Sequence, residues 1–176
     1  MGTGKTEQAH LRLRVIGRIR TPFIQAKGAP IQPTYAEGAE GTVLVDDRYA
    51  AALEDIEGFD RLWLLYWMDR IRPGPFRPRV VPYLDTREHG LFATRSPCRP
   101  NPIGLSVVRL LARDQARLRV ADVDMLDDTP LLDIKPYVPE FDAHPGARAG
   151  WLDVRAVDRR LADDRFHDAG TPRGQR

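Results

Sequence analysis

A single cysteine, Cys98, stands in a chain of 176 residues, and one thiol closes no internal disulfide. That usage fits a reducing compartment and excludes a scaffold held by cross-links. Long apolar runs are also missing, which excludes a bilayer-spanning helix, and no signal-like apolar stretch opens the chain. The expectation is a cytoplasmic protein with no membrane partner. His10, His89, His144 and His167 are too scattered for a ligand set of standard spacing, so no metal is expected. A Gly-x-Gly-x-x-Gly turn after a strand is absent, which argues against a Rossmann-type nucleotide site. Gly2-Thr3-Gly4-Lys5-Thr6 is only half of a phosphate-binding loop, without the upstream glycine and strand that it needs.

What is present fits one compact domain, since 42% of the residues are hydrophobic. Leu11, Leu13 and Val15 alternate with arginines, the period of a half-buried strand, and the run reaches Ile19 before Thr21-Pro22 breaks it. Residues 41–45 form a second candidate. The run 62–68, Leu-Trp-Leu-Leu-Tyr-Trp-Met, is apolar on both sides and reads as a central or barrel strand. Further strands are expected at 80–83, 91–94, 105–111, 118–123 and 151–157. Short strands parted by proline and glycine turns predict an all-β, closed or nearly closed barrel with one or two short helices. One helix is expected at 47–56, with an aspartate cap and Gly58 beyond its end. Residues 24–40 make a long connection of the kind that often carries function.

Charge is segregated along the chain. Eight arginines fall between Asp69 and Arg109, against Asp69, Asp85 and Glu88. From Asp122 to Asp142 the balance reverses, and Lys135 is the only basic residue. A basic stretch beside a ligand pocket suits a polyanion such as RNA, whereas neutralisation of one stretch by the other is the alternative.

The run Phe92-Ala93-Thr94-Arg95-Ser96-Pro97-Cys98-Arg99-Pro100-Asn101-Pro102-Ile103-Gly104-Leu105-Ser106 concentrates the chemistry. Its prolines fix φ, so the loop loses little entropy on ordering, and its arginines offer planar forks to a carboxylate or phosphate. Cys98 has no histidine at nucleophile spacing and reads as a spectator thiol.

This run resembles the signature of the TrmO, or TsaA-like, family. Gly17-Arg18-Ile19-Arg20-Thr21-Pro22-Phe23, Gly58-Phe59-Asp60-Arg61-Leu62-Trp63 and Asp127-Asp128-Thr129-Pro130-Leu131-Leu132-Asp133-Ile134-Lys135-Pro136-Tyr137 are similar to its other blocks, in the family's order. The resemblance implies an S-adenosylmethionine-dependent methyltransferase on a non-Rossmann barrel, usually a homodimer. It implies a tRNA substrate, methylated at N6 of N6-threonylcarbamoyladenosine 3′ of the anticodon in threonine tRNA. Residues 11–157 are then the barrel domain, with a disordered tail at 1–10 and a helical turn and tail at 158–176. Two alternatives stand beside this reading: a same-family methyltransferase acting on a small metabolite, and a non-catalytic protein that binds S-adenosylmethionine or RNA.

Carried over position by position, the resemblance assigns Arg95 to the donor, with Leu105 lining its pocket and Asp124, Met125, Leu126 and Asp127 supplying backbone and acidic groups. The family's Pro-Arg-Gln appears here as Pro30, Ile31 and Gln32, and its His-Gln pair as Asp69 and Arg70. Those departures point to a shifted substrate or altered donor contacts. Arg99, Asn101 and Ser106 shape the loop or meet the substrate. Alternation sets Asp133, Lys135 and Tyr137 on one side of an extended segment, either as candidates for proton removal from N6 or as a structural pair stapling a strand.

Overall fold

A computed structural model describes residues 11–71 and 74–166. The tail at 1–10, the half phosphate loop within it and the tail beyond 166 lie outside the described residues. Six strands close an antiparallel barrel: β1 (Gly17–Arg20), β2 (Glu40–Val45), β3 (Arg61–Trp67), β6 (Ile103–Asp114), β7 (Arg117–Ala121) and β8 (Thr129–Pro136). Around the barrel they run β1-β2-β7-β6-β3-β8, and β8 returns to β1 with Gly17 opposite Leu131. Closure leaves no open edge, which is how a small all-β domain satisfies its backbone. A two-stranded ribbon, β4 (Arg79–Val80) and β5 (His89–Gly90), stands apart. One short helix, α1 (Pro139–Asp142), follows β8.

Period-two alternation builds the core. In β3, Leu62, Leu64 and Tyr66 point inward while Trp63, Leu65 and Trp67 lie partly exposed on the outer face. Ile19, Val43, Val108, Leu118, Val120 and Leu131 complete the filling from the other five strands. Small residues are required where strands approach closely. A Cβ at Gly104 would lie 2.1 Å from the Tyr66 ring, its register partner on β3, so only glycine lets that ring lie flat across β6.

Several expected elements differ. Residues 11–15 form no strand, because β2 and β8 both end their pairing with β1 at Gly17, and Leu11 stays 83% exposed. The helix expected at 47–56 is a 3-10 helix, Asp47–Leu53, and Asp55 in the left-handed region separates it from a second 3-10 turn, Ile56–Gly58. The strands expected at 91–94 and 151–157 are instead 3-10 turns, Leu91–Ala93 and Gly150–Val154. In the second case Gly150 at φ 65° and an Ala149 N–H bond to the Asp153 carboxylate favour turning over extension. Of the expected 80–83 strand only Val80 pairs, together with Arg79 before it.

Residues 158–163, where a helical turn is expected, form no helix; Leu161 bridges to Pro30, and a turn stands at 165–166. Residues 158–166 fold back onto the 24–40 connection: Ile31 N–H donates to Arg160 O (3.0 Å), Gly28 N–H to Ala162 O (2.9 Å), and Ala162 N–H to Ala29 O (2.7 Å). Phe166 is buried edge-on against Tyr83, with ring centroids 5.1 Å apart. This strap fixes the backbone that carries Pro30, Ile31 and Gln32.

Candidate active site

An open cleft of about 1500 Å³ runs from the open end of the barrel onto the outer face of β3 and β6. The 24–40 connection, the 91–99 loop and the loop between β7 and β8 wall it. Asp122 and Asp128, both in the left-handed region at φ 67° and 60°, flank that last loop, a conformation aspartate tolerates better than most residues. Asp122 also takes Arg109 (2.9 Å) and Arg61 (3.4 Å), which pins the loop to the barrel wall.

Ten of the expected donor residues line this cleft: Pro30, Ile31 and Gln32 on one wall, Asp69, Arg70 and Leu105 at the β3–β6 side, Arg95 on the signature loop, and Asp124, Met125 and Leu126 beneath. Arg95 Nη1 donates to Gln32 Oε1 at 2.6 Å, joining two loops far apart in sequence. No carboxylate of the described residues lies within ion-pair distance of Arg95. Asp127 turns the other way, its carboxylate accepting from Thr21 N–H (3.0 Å) and facing Arg20 Nε (3.0 Å). Arg70 donates to Ile24 O (3.0 Å) and to Asp127 O, so it ties the two loops it lies between.

A second polar chain enters from inside the barrel. Tyr66 is buried, and Asp124 adds negative charge nearby, so its phenol is held far above its ordinary pKa and stays protonated. The Tyr66 hydroxyl lies 3.0 Å from Ser106 Oγ, which donates to Asp124 Oδ1 at 2.6 Å. Desolvation pushes the Asp124 carboxyl up to about 7, against the Ser106 bond and the Arg95 charge that pull it down. The cleft thus presents a cation on one wall and a carboxylate that ionises near neutrality beneath it.

Among the expected substrate residues, Arg99 lines the cleft and is held by Thr94 O (2.9 Å) and Leu91 O (3.5 Å). Ser106 lies in the chain just described. Asn101 is exposed outside the cleft, where its carbonyl accepts from Ile103 N–H at 2.7 Å. Asp133, Lys135 and Tyr137 do not reach the cleft lining. Lys135 Nζ sits 2.8 Å from Asp133 on β8, and the Tyr137 ring packs near Trp63 at 5.9 Å, the geometry of a strand staple.

Sequence reasoning missed Tyr66 and Trp151, which line the cleft, and His89, which packs against Trp151. Tyr66 carried a usable signal, a lone hydroxyl on the inward face of an apolar strand that has to find a partner. His89 Nε2 lies 2.9 Å from the buried Asp85 and its ring stacks on Trp151, with centroids 4.4 Å apart. That contact joins the ribbon to a residue 62 positions later, beyond the reach of local patterning.

Comparison with known proteins now bears on this geometry. The model of the tRNA-methyltransferase O N-terminal domain matches residues 18–143. The chain belongs to the tRNA-methyltransferase O family. A probable S-adenosyl-L-methionine-binding protein of Pyrococcus abyssi is 49% identical over 87% of this chain and 83% of its own length. The tRNA (adenine(37)-N6)-methyltransferase of Escherichia coli is 37% identical over 77% of this chain, which spans 61% of that enzyme. Among solved structures, TrmO from Pseudomonas aeruginosa superposes with a TM-score of 0.66 at 38% identity, covering 81% of this chain and 62% of the crystallised one. The chain therefore spans under two thirds of these two TrmO-family proteins. The shared barrel runs through β1 to β8, and the strap at 158–166 lies past the matched segment.

Proposed function

We propose that this chain is an S-adenosylmethionine-dependent methyltransferase that acts on tRNA at N6 of a modified adenine 3′ of the anticodon. The observation that carries the donor assignment is the cleft itself, with Arg95 anchored on Gln32 above the Tyr66–Ser106–Asp124 chain. Those residues fit the donor's functional groups. Arg95 has the fork for an α-carboxylate, Asp124 the charge to oppose a cation, and the backbone of 30–32 and 124–126 the edges for a base and ribose. When bound, the donor supplies an electrophilic methyl on sulfonium.

The protein's part is positioning. Gln32 holds the guanidinium of Arg95 in place, so less ordering remains to be done on binding. Tyr66 and Ser106 hold the Asp124 carboxylate in one orientation, and its ionised form adds attraction for a positive centre. Leu105 and Met125 present apolar surface to the cleft beside the transfer path. Holding donor and acceptor in line accounts for a large share of the rate in such displacements.

The tRNA assignment is supported by the Escherichia coli relative and by the basic signature loop. Arg99 is held by backbone carbonyl oxygens rather than by a carboxylate of the acidic 122–142 stretch, which leaves its charge for an anion. Homodimerisation belongs to the same proposal, supported by Leu65 and Trp67 standing partly exposed on the outer face of β3, outside the cleft lining. A methylation assay with labelled donor and threonine tRNA, with and without its threonylcarbamoyl group, tests the reading. Label at N6 supports it. Transfer to small metabolites with none to tRNA favours the metabolite alternative, and no turnover with any acceptor favours a binding protein.

A further inference from the structure

The cleft has an aromatic rim that the donor residues leave unused. Trp151 lines the cleft from the Gly150–Val154 turn, past the segment matched to the family. Its ring is held on two sides. His89 stacks on one face at 4.4 Å and 19° between planes, and the indole N–H donates to Ala93 O at 2.8 Å. His89 is itself fixed by the buried Asp85, whose carboxylate also accepts from the backbone N–H of Thr86 (2.7 Å) and Arg87 (3.2 Å). Beside Ala93 stands Phe92, 74% exposed, with the Arg99 guanidinium 5.4 Å from its ring centre.

A 74% exposed phenylalanine costs hydrophobic free energy that a free surface does not repay, and a tryptophan clamped by two partners has lost its rotamer freedom before any ligand arrives. Rigid aromatic faces beside arginines are what unpaired nucleobases stack on, because every base has a π-face and its backbone is anionic. From this arrangement we infer that Trp151, stiffened by His89 and flanked by Phe92 and Arg99, is a stacking platform for an unpaired base of the RNA acceptor. This rests on the tRNA reading. The donor's groups are matched by Arg95, Gln32 and Asp124, which leaves this rim for the acceptor strand.

Two titrations on the full chain test it: an anticodon stem-loop of threonine tRNA followed by fluorescence anisotropy, and S-adenosylmethionine followed by calorimetry. Trp151→Ala is expected to weaken RNA binding by about 5- to 150-fold, the range for loss of one base–aromatic stack, and to leave donor affinity unchanged. Trp151→Phe restores most of the RNA affinity. Phe92→Ala, which removes an exposed ring and does not endanger folding, weakens RNA binding in the same direction. Wild-type RNA affinity in both alanine variants overturns the platform while the tRNA reading stands. Weakened donor binding with unchanged RNA binding assigns the ring to the donor's adenine and overturns it too. Failure of the wild type to bind the stem-loop removes the tRNA reading and the platform together.

Discussion

Arg95 shows how one side chain joins the sequence to the chemistry. Its guanidinium is positioned by Gln32 and has no carboxylate of the described residues within ion-pair distance, so Arg95→Ala is expected to weaken S-adenosylmethionine binding by about 10- to 100-fold, the range for a lost charge-assisted bond. Calorimetric titration reads it directly. Asp124 sets a pH dependence. With its carboxyl pushed up to about 7, donor affinity is expected to rise as pH goes from 6 to 8, and Asp124→Asn flattens that rise. The same shift acts on folding with the opposite sense. Between the unfolded value near 4 and the folded value of about 7 the native state holds the extra proton, so this group's contribution to stability falls as pH rises through that window. Gly104→Ala places a methyl against the Tyr66 ring and is expected to cost about 1–3 kcal/mol, seen as a lower Tm, with donor binding weakened because Tyr66 no longer reaches Ser106.

Among the elements, the strap at 158–166 and the β7–β8 loop decide whether the cleft keeps its shape. Ala162→Pro removes the N–H that reaches Ala29 O and leaves the barrel strands untouched. Far-ultraviolet circular dichroism is therefore expected to stay unchanged while donor affinity drops several-fold, since the wall bearing Gln32 loses its backing. The elements legible in the sequence were those with local causes. Alternation in β3 and the glycine and proline breaks announced the strands, and the arginine and proline composition of 91–106 announced the site. Elements settled by distant partners were illegible. Residues 11–15 alternate as a strand does and pair with no strand of the described residues, Trp151 turns where extension is expected, and β8 was visible only as an extended segment until β1 and β3 closed on it. For the same reason the Arg95–Gln32 contact was legible as two separate candidates and not as a pair.

For the whole molecule, the formal net charge is only +2, so any grip on tRNA depends on where the arginines stand rather than on how many there are. RNA affinity is expected to fall with rising salt, and the slope of log affinity against log salt becomes shallower in Arg99→Ala if that side chain meets a phosphate. Sedimentation of the purified chain at micromolar concentration is expected to show twice the chain mass, and Leu65→Asp on the outer face of β3 to return it to one.

The strap also orders events in time. Ile31 and Arg160, bonded at 3.0 Å, are separated by about 130 residues of chain. At roughly 5–20 residues per second, a ribosome lays down the cleft wall bearing Gln32 ~6 to 26 s before the segment that braces it. Until that segment emerges the newborn barrel carries Gln32 on an unbraced loop, and the hold of Gln32 on Arg95 waits for chain made about 130 residues later.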